Sequence, residues 1–400
     1  MSGVVLVDKD LLMRAGEALS ANAGYSIRLH SPTEQVSDNT VVRCEAVPVL
    51  PSGESSVIVK RVTSVVFNQP DSSGESQRFL NEWACLEFLD TLSADPGYAP
   101  RLLGSDRSHS LLVLEDLGQD GSVEDVLLDV DRESARRVLG DVGRLLGRMQ
   151  SAALGREEDF AAVQSRLGTE SPRSDSTVDQ RNFIQTFEQC LHALSIEPAP
   201  GFWDSLHQVE TLIHDSDLFR TFIHADAGPH NFLITDQDVR LLDFEFGAFR
   251  HGLSDVVGAR LGFPQNDHAH SVPEQDARHL EHAYRQEIVT VIPQAADDVV
   301  FNEALVAACA HWALNRWAGL WRIYFETAMQ EPEPLASSES NDDDRIIRAS
   351  AFTIYQAFID TAQTLELFQP LTETLHSYAL ALKQRWPELA VVPVYPALNH

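Results

Sequence analysis

His224-Ala-Asp-Ala-Gly-Pro-His-Asn231, followed closely by Leu241-Leu-Asp-Phe-Glu-Phe-Gly247, decides the reading of this chain. Between them lie apolar, strand-like runs, Phe232 to Thr235 and Val239 to Leu242, around the polar turn Asp236-Gln237-Asp238. A hairpin centred on Gln237 sets Asn231 directly opposite Asp243. Directly paired residues have Cβ atoms roughly 4.5–5.5 Å apart. An amide oxygen beside a carboxylate suits a hard cation such as Mg²⁺, which keeps several waters and also binds phosphates. Asp226 stands just upstream, where a hydroxyl group can approach.

These parts make up the catalytic half of a kinase-type site. The motif pair resembles the aminoglycoside phosphotransferase and choline kinase group of small-molecule kinases, relatives of the protein kinases. The resemblance implies Asp226 as catalytic base, Asn231 and Asp243 as magnesium ligands, and Asp255, in Gly252-Leu-Ser-Asp255, as a structural carboxylate. Asp243-Phe-Glu245 looks more like the choline kinase form of the metal motif than the Asp-Phe-Gly of protein kinases. One departure stands in the catalytic loop. The family usually has Gly before the Asn, whereas His230 stands here, so His230 is a candidate contact to the acceptor, as is Glu245.

The expected fold class is α+β, a two-lobed protein kinase-like fold. A small N-terminal lobe with an antiparallel sheet, residues 1–117, would bind nucleotide. A larger, mostly helical lobe, residues 118–400, would carry catalysis and acceptor binding. The chain has 400 residues and 44% apolar content, enough for two such lobes. Its longest apolar stretch, Leu305 to Phe325, is interrupted by His311, Asn315, Arg316 and Arg322, so it reads as a packed helix and not a membrane span. The N-terminus lacks the pattern of a signal peptide, and the expected location is cytoplasmic. Four scattered cysteines suggest neither a disulfide framework nor a zinc site. A formal net charge of −30 argues against nucleic acid or an anionic membrane as partner and is compatible with a cationic small-molecule acceptor. Oligomeric state is left open.

The nucleotide half rests on Lys60. Only Lys9, Lys60 and Lys383 exist, and Lys60 lies in the β-prone run Val57-Ile-Val-Lys-Arg-Val62. Alternation puts Ile58, Lys60 and Val62 on one face. On the helix expected from Ser76 to Leu92, Glu82 is the one acid on the stripe Phe79, Glu82, Leu86, Leu89, with Glu87 as the fallback. In the family an equivalent pair positions the α- and β-phosphates. No G-x-G-x-x-G or G-x-x-x-x-G-K-[ST] loop is present. Ser37 and Asn39, in the turn Gln35 to Arg43, are candidates for the phosphates, and an ordinary β-turn is the equal alternative. Leu111-Leu-Val-Leu-Glu-Asp-Leu117 resembles the strand into the hinge, where backbone groups near Glu115 and Leu117 would meet the adenine edge.

The expected function is ATP-dependent phosphorylation, with GTP as an open alternative, of a hydroxyl on an aminoglycoside-, choline- or sugar-like molecule, with Mg²⁺. Two other classes fit the same residues. One is a catalytically silent nucleotide-binding protein on the kinase fold. The other is a metal-dependent hydrolase using His224, Asp226, His230 and Asp243.

Overall fold

The computed structural model describes residues 9–399 except 38–39, 52, 63–73, 93–96, 119, 171–187, 237, 265–269 and 321–341. It divides into two compact units. The first comprises residues 1–120, 156–172 and 233–248, and the second 121–155, 173–232 and 249–400. The first therefore gathers two later segments onto its N-terminal part.

In the first unit, α1 (Lys9–Ala23) precedes three strands, β1 (Arg28–Ser37), β2 (Thr40–Val47) and β3 (Ser56–Arg61). Next come α2 (Glu75–Asp90), β4 (Leu102–Asp106) and β5 (Leu111–Glu115). The five strands form one antiparallel sheet in the order β1-β2-β3-β5-β4. Alternation on β3 turns Val57 and Val59 into an apolar core, with Leu11, Ala15 and Leu19 of α1 and Leu111 and Val113 of β5. Ile58 and Lys60 thereby face the other side. This antiparallel sheet, followed by a predominantly helical remainder, is the expected α+β class with the kinase-like order of elements.

In the second unit, α3 (Val123–Leu128) leads to α4 (Arg132–Ala153). Asp131 caps α4 by accepting the Glu133 N–H at 3.1 Å. Its stripe Val138, Val142, Leu145 and Met149 is buried. Helix α5 (Glu157–Leu167) belongs to the first unit and stands where the sequence reads as a polar surface excursion. Its acidic Glu157, Glu158 and Asp159 occupy a helix first turn, where they complement the helix dipole. Phe160, Gln164 and Leu167 form its buried face.

The remaining elements are α6 (Phe202–Glu210), β6 (Arg220–Ile223), β7 (Phe232–Ile234), β8 (Val239–Leu241), β9 (Ala248–His251) and α7 (Leu253–Val256). After them come α8 (Glu274–Ile288), α9 (Asp298–Leu320), α10 (Asp342–Thr364) and α11 (Gln369–Arg385). Strands β6 and β9 pair, as do β7 and β8. Helix α4 lies so close to α8 that a Cβ on Gly143 would come within 2.3 Å of the Leu280 carbonyl oxygen. Among the described residues no helix is long and apolar enough to cross a membrane.

Candidate active site

Lys60 sits on β3 between Val41 of β2 and Leu112 of β5. Its Nζ donates to Glu82 Oε1 at 2.7 Å and to Asp243 Oδ1 at 2.5 Å. Glu82 is buried on α2. Burial alone would lower the Lys60 pKa, but Glu82 and Asp243 outweigh it and hold the ammonium charged. Burial lifts the Glu82 carboxyl above its ordinary value, with Lys60 opposing and Asp243 adding to the rise. The fallback acid, Glu87, is engaged elsewhere: it accepts Trp83 Nε1 at 2.7 Å and pairs with Arg166.

Asp243 adopts φ 64°, the left-handed region that non-glycine residues rarely occupy. Strain of this kind persists where surrounding contacts over-determine the backbone. Some of those contacts come from Asn81 of α2, which the sequence reading missed. Its Nδ2 donates to the carbonyls of Glu245 at 3.1 Å and Gly247 at 3.0 Å, and its Oδ1 accepts Gln164 Nε2 of α5 at 3.1 Å. The only signal in the sequence is a lone amide beside Glu82 on an otherwise apolar helix face. Glu245 has Arg78 at 3.8 Å. Its carboxyl is nevertheless pushed up to about 7, by burial first and then by Asp243, against Lys60 and Arg78.

The hairpin register is shifted by one residue from the expected one. The Thr235 N–H donates to the Asp238 carbonyl at 2.9 Å, and Thr235 Oγ1 accepts the Asp238 N–H at 3.2 Å. That pairs 235 with 238, so the ladder does not set Asn231 opposite Asp243. The strands end at Phe232 and Leu241, and the left-handed Asp243 lies beyond the ladder. The Thr235 hydroxyl takes part in this pairing, donating to the Asp238 carbonyl at 2.8 Å.

In the second unit, the buried Asp255 holds the turn that carries Asp226. Its Oδ2 accepts the His224 N–H at 2.7 Å and its Oδ1 the Ala225 N–H at 2.9 Å. Ala225 is thereby kept at φ 67°. Burial raises the Asp255 carboxyl, and His224 and the two amides oppose that rise. His224 is buried, with its Nδ1 accepting the Asp226 N–H at 3.2 Å. Asn231 Nδ2 donates to the Asp226 carbonyl at 2.9 Å and lies 3.4 Å from Asp226 Oδ2. Both partners are acceptors, so the amide nitrogen faces Asp226 and the amide oxygen faces away. His230 is exposed on a short 3₁₀ turn, Pro229–Asn231, with no left-handed φ. Glycine is not required at that position, which is why histidine fits it.

Near the end of α4 stand the buried Met149 and Gln150. Gln150 makes three hydrogen bonds: Nε2 donates to the Gly252 carbonyl at 3.0 Å, Oε1 accepts the Tyr284 hydroxyl at 2.8 Å, and its carbonyl accepts Thr221 Oγ1 at 2.7 Å. A Cβ on Gly252 would meet Gln150 Oε1, so a larger residue there would have to displace that amide.

At the strand end, Glu115 donates its N–H to the Arg101 carbonyl at 2.9 Å and accepts the Arg101 N–H on Oε2 at 3.1 Å. Asp116 takes two bonds from Arg43, at 2.8 and 2.9 Å. Leu117, half-buried, makes no backbone hydrogen bond among the described residues. Ser37 ends β1 opposite Val41, and Asn39 lies outside the described residues.

The donors suit a hard cation. Glu82, Asp243 and Glu245 are three carboxylates with Lys60 and Arg78 as counter-charges. Carboxylate and amide oxygens are the ligands Mg²⁺ takes. Among the described residues, the one His/Cys/Asp/Glu group with metal-like spacing contains none of His224, Asp226, His230 and Asp243.

A family model described as the phosphotransferase enzyme family matches residues 47–288. No curated protein matches the chain. Among solved structures, a choline/ethanolamine kinase family protein from Mesorhizobium loti is similar at 15% identity, with 92% of this chain and 99% of that one covered and a TM-score of 0.40. A choline kinase from Cryptosporidium parvum is similar at 11% identity, with 92% and 90% covered and a TM-score of 0.42. An amicoumacin kinase is similar at 14% identity, with 87% and 93% covered and a TM-score of 0.48. The family model alone spans more than half of the sequence, and on that match the chain belongs to the phosphotransferase enzyme family.

Proposed function

We propose that the chain transfers the terminal phosphoryl group of ATP, or of GTP, to a hydroxyl of a small molecule. The observation that carries this reading is the contact of Lys60 with both Glu82 and Asp243, a cation anchored at one acid and delivered beside another. Lys60, oriented by Glu82, holds the α- and β-phosphates. The amide and carbonyl of Leu117 meet the adenine edge, while the Glu115 N–H is already committed to Arg101. Asp226 orients the acceptor hydroxyl and accepts its proton as the new O–P bond forms and the nucleoside diphosphate leaves. An ordinary Asp, pKa about 3.9, is a weak base, but a loose phosphoryl-transfer transition state needs little early deprotonation. Mg²⁺, held by Asn231 and Asp243, would neutralise charge on the transferring group. Asp255 and Gln150 act through the backbone of the 221–252 region and keep the turn in place.

The acidic balance of the chain, −30, favours an acceptor bearing an amine. The test is nucleoside diphosphate release over a panel of aminoglycosides, amino alcohols, choline and neutral sugars, with Mg²⁺ present. Release that depends on an amine-bearing acceptor supports the reading in full. Release with neutral sugars alone would overturn the amine preference. Nucleotide binding with no transfer to any hydroxyl would favour a silent kinase-fold protein.

A further inference from the structure

A second polar cluster lies in the second unit among residues the phosphotransfer reading does not use. Glu210 ends α6, and the chain continues as a π-helical turn, Thr211–Asp215, that carries His214. Single π turns of this kind recur at functional sites. His311 comes from α9. The two imidazoles address different oxygens of one carboxylate. His214 Nε2 lies 3.5 Å from Glu210 Oε2, and His311 Nδ1 lies 4.0 Å from Glu210 Oε1. The rings meet edge-on, centroids 5.0 Å apart at 70°. One donor atom from each residue falls within 4.8 Å of the other two.

We propose that Glu210, His214 and His311 form a binding site for a divalent transition metal of the zinc class. Two neutral imidazoles and one carboxylate are a ligand set that zinc takes with its fourth position open to water. Zinc bonds of 2.0–2.2 Å put tetrahedral donors roughly 3.3 Å apart. The 3.5 and 4.0 Å spacings from Glu210 to the two imidazoles lie close to that value. His214 is solvent-exposed and supplies an entry path, while Glu210 and His311 are half-buried. His251 of β9 is 3% exposed, and its Nδ1 has no hydrogen-bond partner among the described residues. A bound metal would clip the π turn to α9, two segments nearly a hundred residues apart in sequence. Sulfur plays no part: the four cysteines are buried and lie outside the cluster.

The test titrates chelator-treated full-length protein with Zn²⁺ by calorimetry, comparing wild type with His214→Ala, Glu210→Gln and, as a control, His376→Ala at an exposed histidine. The exposure of His214 makes its variant safe for folding. The expected result is one zinc per chain, bound at least tenfold more weakly in His214→Ala and Glu210→Gln and unchanged in His376→Ala. Co²⁺ should give a visible absorption band in wild type that His214→Ala lacks, and Zn²⁺ should raise the Tm of wild type only. Equal zinc affinity in wild type and His214→Ala, or no uptake at about 100 µM Zn²⁺, would overturn the proposal. These readouts do not depend on catalysis, so they stand apart from the phosphotransfer reading.

Discussion

Around Lys60, in the first unit, side chains are held by charge: one ammonium shared by two carboxylates, with Glu245 and Arg78 alongside. Around Asp255, in the second unit, they are held by directed hydrogen bonds to backbone groups, two amides on Asp255 and a carbonyl on Gln150. A charge cluster can exchange partners without a change of fold, which suits a place where phosphates and a cation arrive and leave. A saturated hydrogen-bond network tolerates no such exchange, which suits a turn that must present one carboxylate, Asp226, in one position. The backbone is strained in both regions, at Asp243 and at Ala225, and each strain is secured by the local means.

The largest effect should come from removing chemistry while leaving both networks intact. Asp226→Ala should lower kcat about 10³-fold, within the range of general-base losses, with nucleotide affinity and the circular dichroism melt preserved. Loss of nucleotide binding as well would make Asp226 a structural residue. Next comes the network itself. Asp255→Ala strands the buried His224 amide and the half-buried Ala225 amide and should cost about 2 kcal/mol of stability, read by urea denaturation. A cost near zero would show that the turn does not lean on Asp255.

The acid response sharpens the contrast. Burial, then His311 and His214, hold His251 down to about 3 from an ordinary 6.5. The unfolded chain therefore takes up a proton that the folded one refuses between those values. Stability should fall as pH drops below 6.5, by up to about 1.4 kcal/mol per pH unit from this group, and His251→Phe should flatten that limb. An unaltered limb would assign the acid sensitivity to other groups. The smallest global effect should follow Lys60→Ala, because Glu82 can take up a proton when its partner goes. ATP should bind about tenfold more weakly, roughly 1.4 kcal/mol, with little change in melting. Unchanged ATP dependence would remove Lys60 from the nucleotide site.

The antiparallel sheet of the N-terminal part was legible because strand alternation and helical periodicity are local signals, whereas the order of its strands comes only from the structure. Lys60 and Glu82 stood out for a simple reason: each is the sole charge of its sign on an apolar face. The hairpin register was not legible, since the pairing of Thr235 with Asp238 involves a side-chain hydroxyl as well as backbone groups, which the apolar pattern does not report. Asn81 and Gln150 were missed because their partners are backbone groups far away in sequence, which no pattern of side chains reports. Helix α5 hid behind its acidic first turn. The Glu210, His214 and His311 group needed the packing of α9 against the π turn, an event with no sequence spacing to announce it.

The central claim is that the charge cluster exists to receive a nucleotide and its cation. The most direct measurement is calorimetric ATP binding with and without Mg²⁺, for wild type and Asp243→Ala. Magnesium-dependent binding in wild type that Asp243→Ala abolishes is the predicted result. Binding that ignores Mg²⁺, or that survives unchanged in Asp243→Ala, would contradict it.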